Sequence, residues 1–459
     1  MRNPIPRRKP GQISQGYTLA EALDEADRCL VCENARCEAA CPLHNQIPRW
    51  ISALKQGRAD EAYRIIRETS PMPEICSRLC PQERLCEGAC GLGIKYESIA
   101  IGQLERFVAD VGLKNFKTKE QPIVQPQQRK RLAAVGSGPA SLAFAQNLQL
   151  QGHPVTVIER WSRLGGVLSW IPHFKLPAEV LDRHLESLRE LGVRFQTGVE
   201  VRSAGELLKN YDAVFLGVGA SRPSSPKIPG IKLGGVLSST EFLVRVYYDP
   251  SSTLPNQWQP LTSLKGQRVG VFGGGDSAMD CVRTAIRLGA SEALCFYRRD
   301  EANMPGSKKE VRTAKAEGVK FQLLAAPRAF HSRDSRTVSQ IECIRMELGA
   351  PDSSGRRSPV PVKNSTFMTD VDLVVLAFGY EVEDAFEEKS DLLTPKNLIK
   401  TNPVTGATPI PGVFAGGDCV TGPSLVCAAA YAGVVAAQNA LRYFNGEPWE
   451  NLASLEYAD

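Results

Sequence analysis

Along the first 115 or so residues, apolar positions recur at helical spacing, and one helix start is explicit. Thr18 followed by Glu21 forms a capping box ahead of Leu19–Asp27, which delivers the chain to Cys29. A polar stretch from Lys117 to Arg131 then reads as a linker. Beyond it the periodicity changes. Leu132-Ala-Ala-Val135 is a short apolar strand that runs into glycines and a helical segment, Ser141–Gln151, before a second strand, Val155–Glu159. This is a βαβ unit. The same order recurs at Arg268–Phe272, Gly273–Gly275, Ala278–Leu288 and Ala293–Tyr297, with a further strand at Asp372–Phe378. The chain closes on Gly412-Val-Phe-Ala-Gly-Gly-Asp418 and a helix of small residues. The expected fold class is α/β, with a helical domain at 1–116, a linker at 117–130 and two Rossmann-like nucleotide-binding domains. The second of these (265–379) is inserted in the first (131–264 and 380–459).

A length of 459 residues suits three domains, and 42% hydrophobic with 23% charged residues is a globular composition. A net charge of +5 makes no electrostatic case for nucleic acid or a membrane surface. The basic opening (Arg2, Arg7, Arg8, Lys9) lacks the apolar run of a signal peptide and reads as a solvated tail. Leu425–Ala437, the longest apolar stretch, is too short and too rich in Ala and Gly to span a bilayer. A cytoplasmic protein is expected.

Eight of the 13 cysteines lie between Cys29 and Cys90. In a reducing compartment such density points to metal rather than disulfides. The first group is Cys29-x2-Cys32-x4-Cys37-x3-Cys41-Pro42 and the second Cys76-x3-Cys80-Pro81-x4-Cys86-x3-Cys90. Closely spaced thiolates wrap one face of an iron–sulfur cubane, and the fourth ligand arrives from elsewhere in the chain. A Cys before Pro ligates the other cluster in two-cluster ferredoxins, so the two groups are expected to interlock around two [4Fe–4S] clusters. Structural zinc also takes four thiolates and is the competing reading.

Gly136-x-Gly138-Pro139-x-Ser141 follows a strand and opens a helix, with Glu159 ending the next strand, where a carboxylate can bind ribose hydroxyls. Ser replaces the third glycine, a position that governs only helix–strand packing. Gly165-Gly166 would allow close approach to a flavin. Gly416-Gly417-Asp418 precedes a helix whose N-terminus could face the same cofactor. The second fingerprint, Gly273-x-Gly275-Asp276-Ser277-Ala278, is followed by a strand ending in Tyr297-Arg298-Arg299. Two guanidinium groups at that place suit the 2′-phosphate of NADP, whereas a surface arginine pair is the plain alternative. Cys281 and Cys295 form no CxxC dithiol, Cys343, Cys419 and Cys427 read as small buried apolar residues, and the five histidines show no metal spacing. No nucleophile–base pair is evident, and hydride chemistry on a flavin needs none.

On these motifs the chain resembles the small subunit of bacterial NADPH-dependent glutamate synthase. The resemblance covers nearly the whole length and is strongest at Cys29–Trp50, Glu74–Gly91, Tyr211–Ala220, Gly273–Arg283, Tyr297–Val311 and Phe414–Asp418. The N-terminal half of dihydropyrimidine dehydrogenase and the large subunit of NADH-dependent ferredoxin:NADP oxidoreductase share the architecture. The resemblance implies that Cys29, Cys32, Cys37 and Cys90 hold one cluster. It implies that Cys41, Cys80, Cys86 and Glu105 hold the other, leaving Cys76 outside. It further implies that Gly136, Gly138, Glu159, Lys175 and Asp418 bind FAD, and that Gly275, Asp276, Arg298 and Arg299 bind NADPH. The implied activity passes electrons from NADPH through FAD and the clusters to a larger catalytic subunit. A pyrimidine-reducing or ferredoxin-coupled partner, or a non-catalytic zinc-and-nucleotide scaffold, are the rivals. One departure stands out: the family's Glu-Gly-Arg step in the final helix reads Tyr431-Ala432-Gly433 here.

Overall fold

A computed structural model describes residues 16–115, 128–255, 258–352, 355–383 and 386–453. The basic opening and most of the expected linker lie outside those residues.

The N-terminal region is helical, built on Leu19–Asp27, Ile47–Lys55, Ala59–Arg67, Pro73–Leu79 and Ile101–Asn115. The capping box forms: the Thr18 backbone N–H donates to Glu21 at 2.7 Å and the Glu21 N–H donates to the Thr18 hydroxyl at 3.3 Å. Ile51, Leu54, Tyr63, Ile66, Leu104 and Val108 close a core beneath the cysteine loops. Burying each such side chain stabilises by about 1.5–3 kcal/mol, so the loops ride on a rigid base rather than folding around metal alone.

Two parallel five-stranded sheets follow. In the first, the order is Val413–Ala415, Ala213–Leu216, Leu132–Val135, Val155–Glu159, Arg194–Thr197. Leu132–Val135 is buried on both faces, which is why it reads as an unbroken apolar run. In the second, the order is Val236–Ser238, Leu373–Leu376, Arg268–Phe272, Glu292–Tyr297, Lys320–Leu323. Val236–Ser238 therefore pairs in the second sheet although it precedes residue 265, the expected start of that unit. Three residues carry too little periodicity to announce a strand. The two crossings between units, Arg222–Pro223 and Tyr380–Glu381, pair antiparallel, and Arg222 and Glu381 add an ion pair at 2.7 Å. The second unit also carries an antiparallel sheet of Ala325–His331, Gln340–Pro351 and Arg357–Asp370, which the sequence reading did not anticipate.

The final long helix, Val426–Phe444, packs along Pro139–Leu150, and Gly433 makes that approach possible. A Cβ there would lie 2.0 Å from the carbonyl oxygen of Ala140. Tyr431, in the step that departs from the family, turns outward and meets the His44 ring edge-on, 5.7 Å between centroids. No helix among the described residues is long and apolar enough to cross a membrane. The core of the first sheet continues into the helical region through Leu43, Met72, Ile75 and Cys76, so the iron–sulfur region and the first nucleotide unit share one interior.

Candidate functional site

Both glycine-rich turns open into a single cavity of about 1150 Å³. Gly136, Gly138, Pro139, Glu159, Gly166, Lys175, Gly417 and Asp418 line one end. Gly273, Gly275, Asp276, Ser277, Arg298 and Arg299 line the other. Arg78–Glu83 of the helical region, Cys80 among them, closes a third side.

At the first turn Gly136 has φ +85°, and a Cβ would sit 2.7 Å from the carbonyl oxygen of Gly217, so only glycine fits. Gly138 caps Pro139–Leu150, and Gly138, Pro139 and Ala140 line the cavity, so the positive end of that helix meets it as an anion site. Ser141 fills the third fingerprint position at no cost in unpaired polarity, since its hydroxyl donates to the Val135 carbonyl at 3.3 Å. Glu159, 7% exposed, accepts from the Ser137 N–H (2.9 Å), the Ser137 hydroxyl (2.7 Å) and the Trp161 N–H (2.9 Å). The Ser137 hydroxyl in turn accepts from Gly165 N–H at 2.9 Å. One carboxylate and one hydroxyl thus tie the phosphate turn to the Gly165-Gly166 turn. The sequence reading missed Ser137, whose role shows only once the two turns are side by side. Across the cavity, burial pushes the Asp418 carboxyl up to about 6, opposed by the Ser424 N–H that it accepts at 3.1 Å.

Lys175 lines the cavity, but its ammonium lies 2.7 Å from Asp280 and 3.3 Å from Glu310, both in the second unit. These carboxylates outweigh burial and push Lys175 above the usual lysine range. It pins the two nucleotide units together. Arg283, paired with Glu310 and Glu317, lies over Phe174 at 4.4 Å and extends the clamp.

The two expected phosphate-binding arginines differ. Arg299 is 4% exposed, donating to the Arg357 carbonyl and to Asp352, each at 2.6 Å. Arg298 is exposed, with no hydrogen bond or ion pair among the described residues, and faces the cavity. Asp276 opens the helix Asp276–Arg287 and accepts from the Ser307 N–H at 2.8 Å. Arg84 of the helical region reaches it at 3.7 Å and donates to the Pro305 carbonyl at 2.8 Å.

The cysteines fall into two sets. Burial, then the neighbouring thiols Cys29 and Cys90, push Cys37 up to about 11, and Cys90 and Cys32 act likewise on Cys29. Cys29, Cys32, Cys37 and Cys90 therefore stand together. The second set gathers at the first nucleotide unit. Burial pushes Cys41 up to about 12, with Glu105 and Cys76 adding to the effect, while Cys86 is raised by burial and then by Glu87, Glu105 and Cys41. Cys80 packs against the core that holds Cys76 and Cys427, and its N–H donates to the Cys76 carbonyl at 2.9 Å. Glu105 is itself pushed up to about 8 by burial and then by Cys427 and Glu74. A carboxylate and several thiols that repel one another's charge form a donor set that a cationic cluster would satisfy. Among the described residues no three His, Cys, Asp or Glu side chains converge on a single-ion site, as zinc at about 2.3 Å from each sulfur would require. All 13 cysteines are free; Cys343 and Cys419 are fully buried as expected, and Cys281 and Cys295 are fully buried as well. Cys427 is buried as expected, in the core that Cys80 packs against.

Comparison with known proteins agrees with this layout. Residues 7–117 match the model of dihydropyrimidine dehydrogenase domain II, 4Fe-4S cluster. Residues 135–191 match an NAD(P)-binding Rossmann-like domain, and 203–433 match pyridine nucleotide-disulphide oxidoreductase. The chain is 40% identical over 95% of its length to the putative oxidoreductase AegA of Escherichia coli (strain K12), covering 68% of that protein. It is 37% identical over 94% of its length to the glutamate synthase [NADPH] small chain of the same organism, covering 93% of it. Among solved structures, FprA of Mycobacterium tuberculosis in complex with NADPH has a TM-score of 0.55 at 19% identity, covering 69% of this chain and 86% of that one, a likeness of fold. The chain belongs to the family of the NADPH-dependent glutamate synthase small chain, and it is an NADPH-dependent flavin and iron–sulfur oxidoreductase.

Proposed function

We propose that this chain is the electron-input component of a larger enzyme, with two [4Fe–4S] clusters. In this reading Cys29, Cys32, Cys37 and Cys90 hold one cluster. Cys41, Cys80, Cys86 and Glu105 hold the other. The observation that carries it is the shared cavity: both nucleotide turns and Cys80 open into one space, so hydride donor, flavin and cluster ligand are neighbours.

The residues divide the work. The free N–H groups of Gly138 and Ala140, either side of Pro139, take the FAD pyrophosphate, and the remaining lone pairs of Glu159 accept from ribose hydroxyls. The N-terminus of Val426–Phe444 and the neighbouring Asp418 bracket the flavin end, the helix dipole favouring negative charge there. Gly273, Gly275 and Ser277 cradle the NADPH pyrophosphate, and Arg298 takes its 2′-phosphate. Lys175 with Asp280 and Glu310 holds the two units at a fixed separation. FAD, when bound, accepts electrons as a pair and releases them singly, which is the conversion between a hydride donor and one-electron clusters. Several relatives are named as small chains or β subunits, among them the NADP(+)-dependent formate dehydrogenase subunit beta of Moorella thermoacetica, which supports a larger partner.

The test is anaerobic purification followed by NADPH titration. About eight iron atoms per chain, flavin absorbance and NADPH-driven bleaching of both chromophores are expected. Colourless protein that binds zinc would establish the scaffold reading instead. Four irons per chain would cut the clusters to one.

A further inference from the structure

The hairpin that joins Gln340–Pro351 to Arg357–Asp370 brings to the NADPH end of the cavity a guanidinium that no sequence motif named. Pro351 pairs with Arg357 across this hairpin. Across its turn the Asp352 N–H donates to the Arg356 carbonyl at 2.8 Å, and the Arg356 N–H donates to the Asp352 carboxylate at 3.2 Å. Arg356 is half-buried and lines the cavity, as do Arg298 and Arg299 just beyond Glu292–Tyr297. The turn is held to that strand end from several sides. Arg299 donates to the Arg357 carbonyl and to Asp352, each at 2.6 Å. The Arg357 N–H donates to the Asn303 side-chain oxygen at 3.1 Å, and the Arg357 guanidinium donates to the Gly349 carbonyl at 3.0 Å. The place of Arg356 therefore does not hang on Arg299 alone.

We propose that Arg356 is a specificity-determining residue for NADPH, the second guanidinium on the 2′-phosphate beside Arg298. This rests on the reading above that the 2′-phosphate lies at Arg298. A phosphate monoester carries about −1.5 to −2 charges near neutral pH, more than one guanidinium balances. Arg299, the sequence neighbour that would supply the second charge, is already spent. It is 4% exposed, and its ion pair with Asp352 at 2.6 Å neutralises it. Arg356 supplies the missing charge from an element 58 residues further along the chain. Lys309, the other cation lining this end, belongs to Lys308–Ala316. The cap of that helix, Ser307, donates its backbone N–H to Asp276 at 2.8 Å, so Lys309 goes with the pyrophosphate turn instead. The labour is thus divided: Arg299 builds the wall, while Arg298 and Arg356 meet the phosphate.

The experiment titrates the holoenzyme with 2′,5′-ADP and with 5′-AMP, two probes that differ only in the 2′-phosphate. Arg356→Ala should raise the Kd of 2′,5′-ADP about tenfold and leave that of 5′-AMP unchanged, since one charge-assisted phosphate contact is lost. Its KM for NADPH should rise with kcat unaltered, the mark of lost uniform binding. Arg356→Lys, which keeps the charge but not the planar fork, should recover part of the loss. Should the alanine variant fold poorly, Arg356→Gln carries the same expectation. An unchanged Kd for 2′,5′-ADP overturns the proposal, and so does an equal loss with both probes, which would make the turn merely structural. Arg298→Ala distinguishes the two failures. If that variant binds 2′,5′-ADP as the native chain does, the 2′-phosphate lies elsewhere and the reading of this end has failed. If Arg298→Ala weakens 2′,5′-ADP and Arg356→Ala does not, only the assignment of Arg356 falls.

Discussion

Glu74 of the iron–sulfur region and His184 of the flavin unit share a 2.6 Å hydrogen bond, and neither side chain is exposed to solvent. The remaining Glu74 oxygen and the second His184 nitrogen have no hydrogen-bond partner among the described residues. The pair is thus isolated at the seam between the two regions. Removing one partner of such a buried pair costs about 3–5 kcal/mol, because the other is left uncompensated. His184→Ala should destabilise by that amount in urea unfolding. Burial raises the Glu74 carboxyl, but His184, joined by the Arg67 guanidinium and a backbone N–H, outweighs burial and holds it below its usual value of 4.5. Its contribution is therefore present above that value and lost as pH falls through the lower folded value. The destabilisation by His184→Ala should shrink in acid, and an equal loss at neutral and acid pH would contradict this assignment.

Asp418 has the opposite sign. Burial pushes its carboxyl up to about 6. A raised carboxyl favours the folded state below its unfolded value, and that contribution is lost as pH rises to about 6. Flavin-free protein should lose stability between roughly pH 4 and 6, by at most about 3 kcal/mol, and its melting temperature should fall with it. Asp418→Asn should flatten that slope, and thermal scans at several pH values check it.

The arginine pair makes a third test. Arg298 faces the cavity unpaired, whereas Arg299 is committed to Asp352 and the Arg357 carbonyl. A charge-assisted phosphate contact contributes about 1.5–3 kcal/mol. Arg298→Ala should therefore raise the KM for NADPH at least tenfold and leave that for NADH nearly unchanged. Arg299→Ala should instead lower the melting temperature and weaken both cofactors alike. Steady-state kinetics with each nucleotide distinguishes the roles, and equal effects from both variants would make the pair act as one unit.

Glu105 and Cys76 both face the second cysteine set, since each acts on Cys41. Glu105→Ala should lose iron or alter the reduced EPR signal of one cluster while flavin content and NADPH-driven flavin reduction persist. Cys76→Ser should do neither. The reverse outcome would mean eight thiolates and no carboxylate.

The βαβ units, the capping box and the cysteine groups were legible because each is local. Strands such as Val155–Glu159, a turn with Gly136 at φ +85°, and Thr18 with Glu21 are decided within a few residues by burial pattern, backbone sterics and capping. Val236–Ser238 was not legible, since its strand character exists only through pairing with Leu373–Leu376. Side-chain roles divide the same way. The residues that the sequence by itself named for the two nucleotides line one cavity, because each sits in a local turn or at a strand end. Only the tertiary structure decided where their charges are committed. Lys175 is held by Asp280 and Glu310 and Arg299 by Asp352, over separations of 105, 135 and 53 residues. An ammonium or a guanidinium is satisfied by whichever partner folding brings near, and spacing along the chain carries no record of partners that distant.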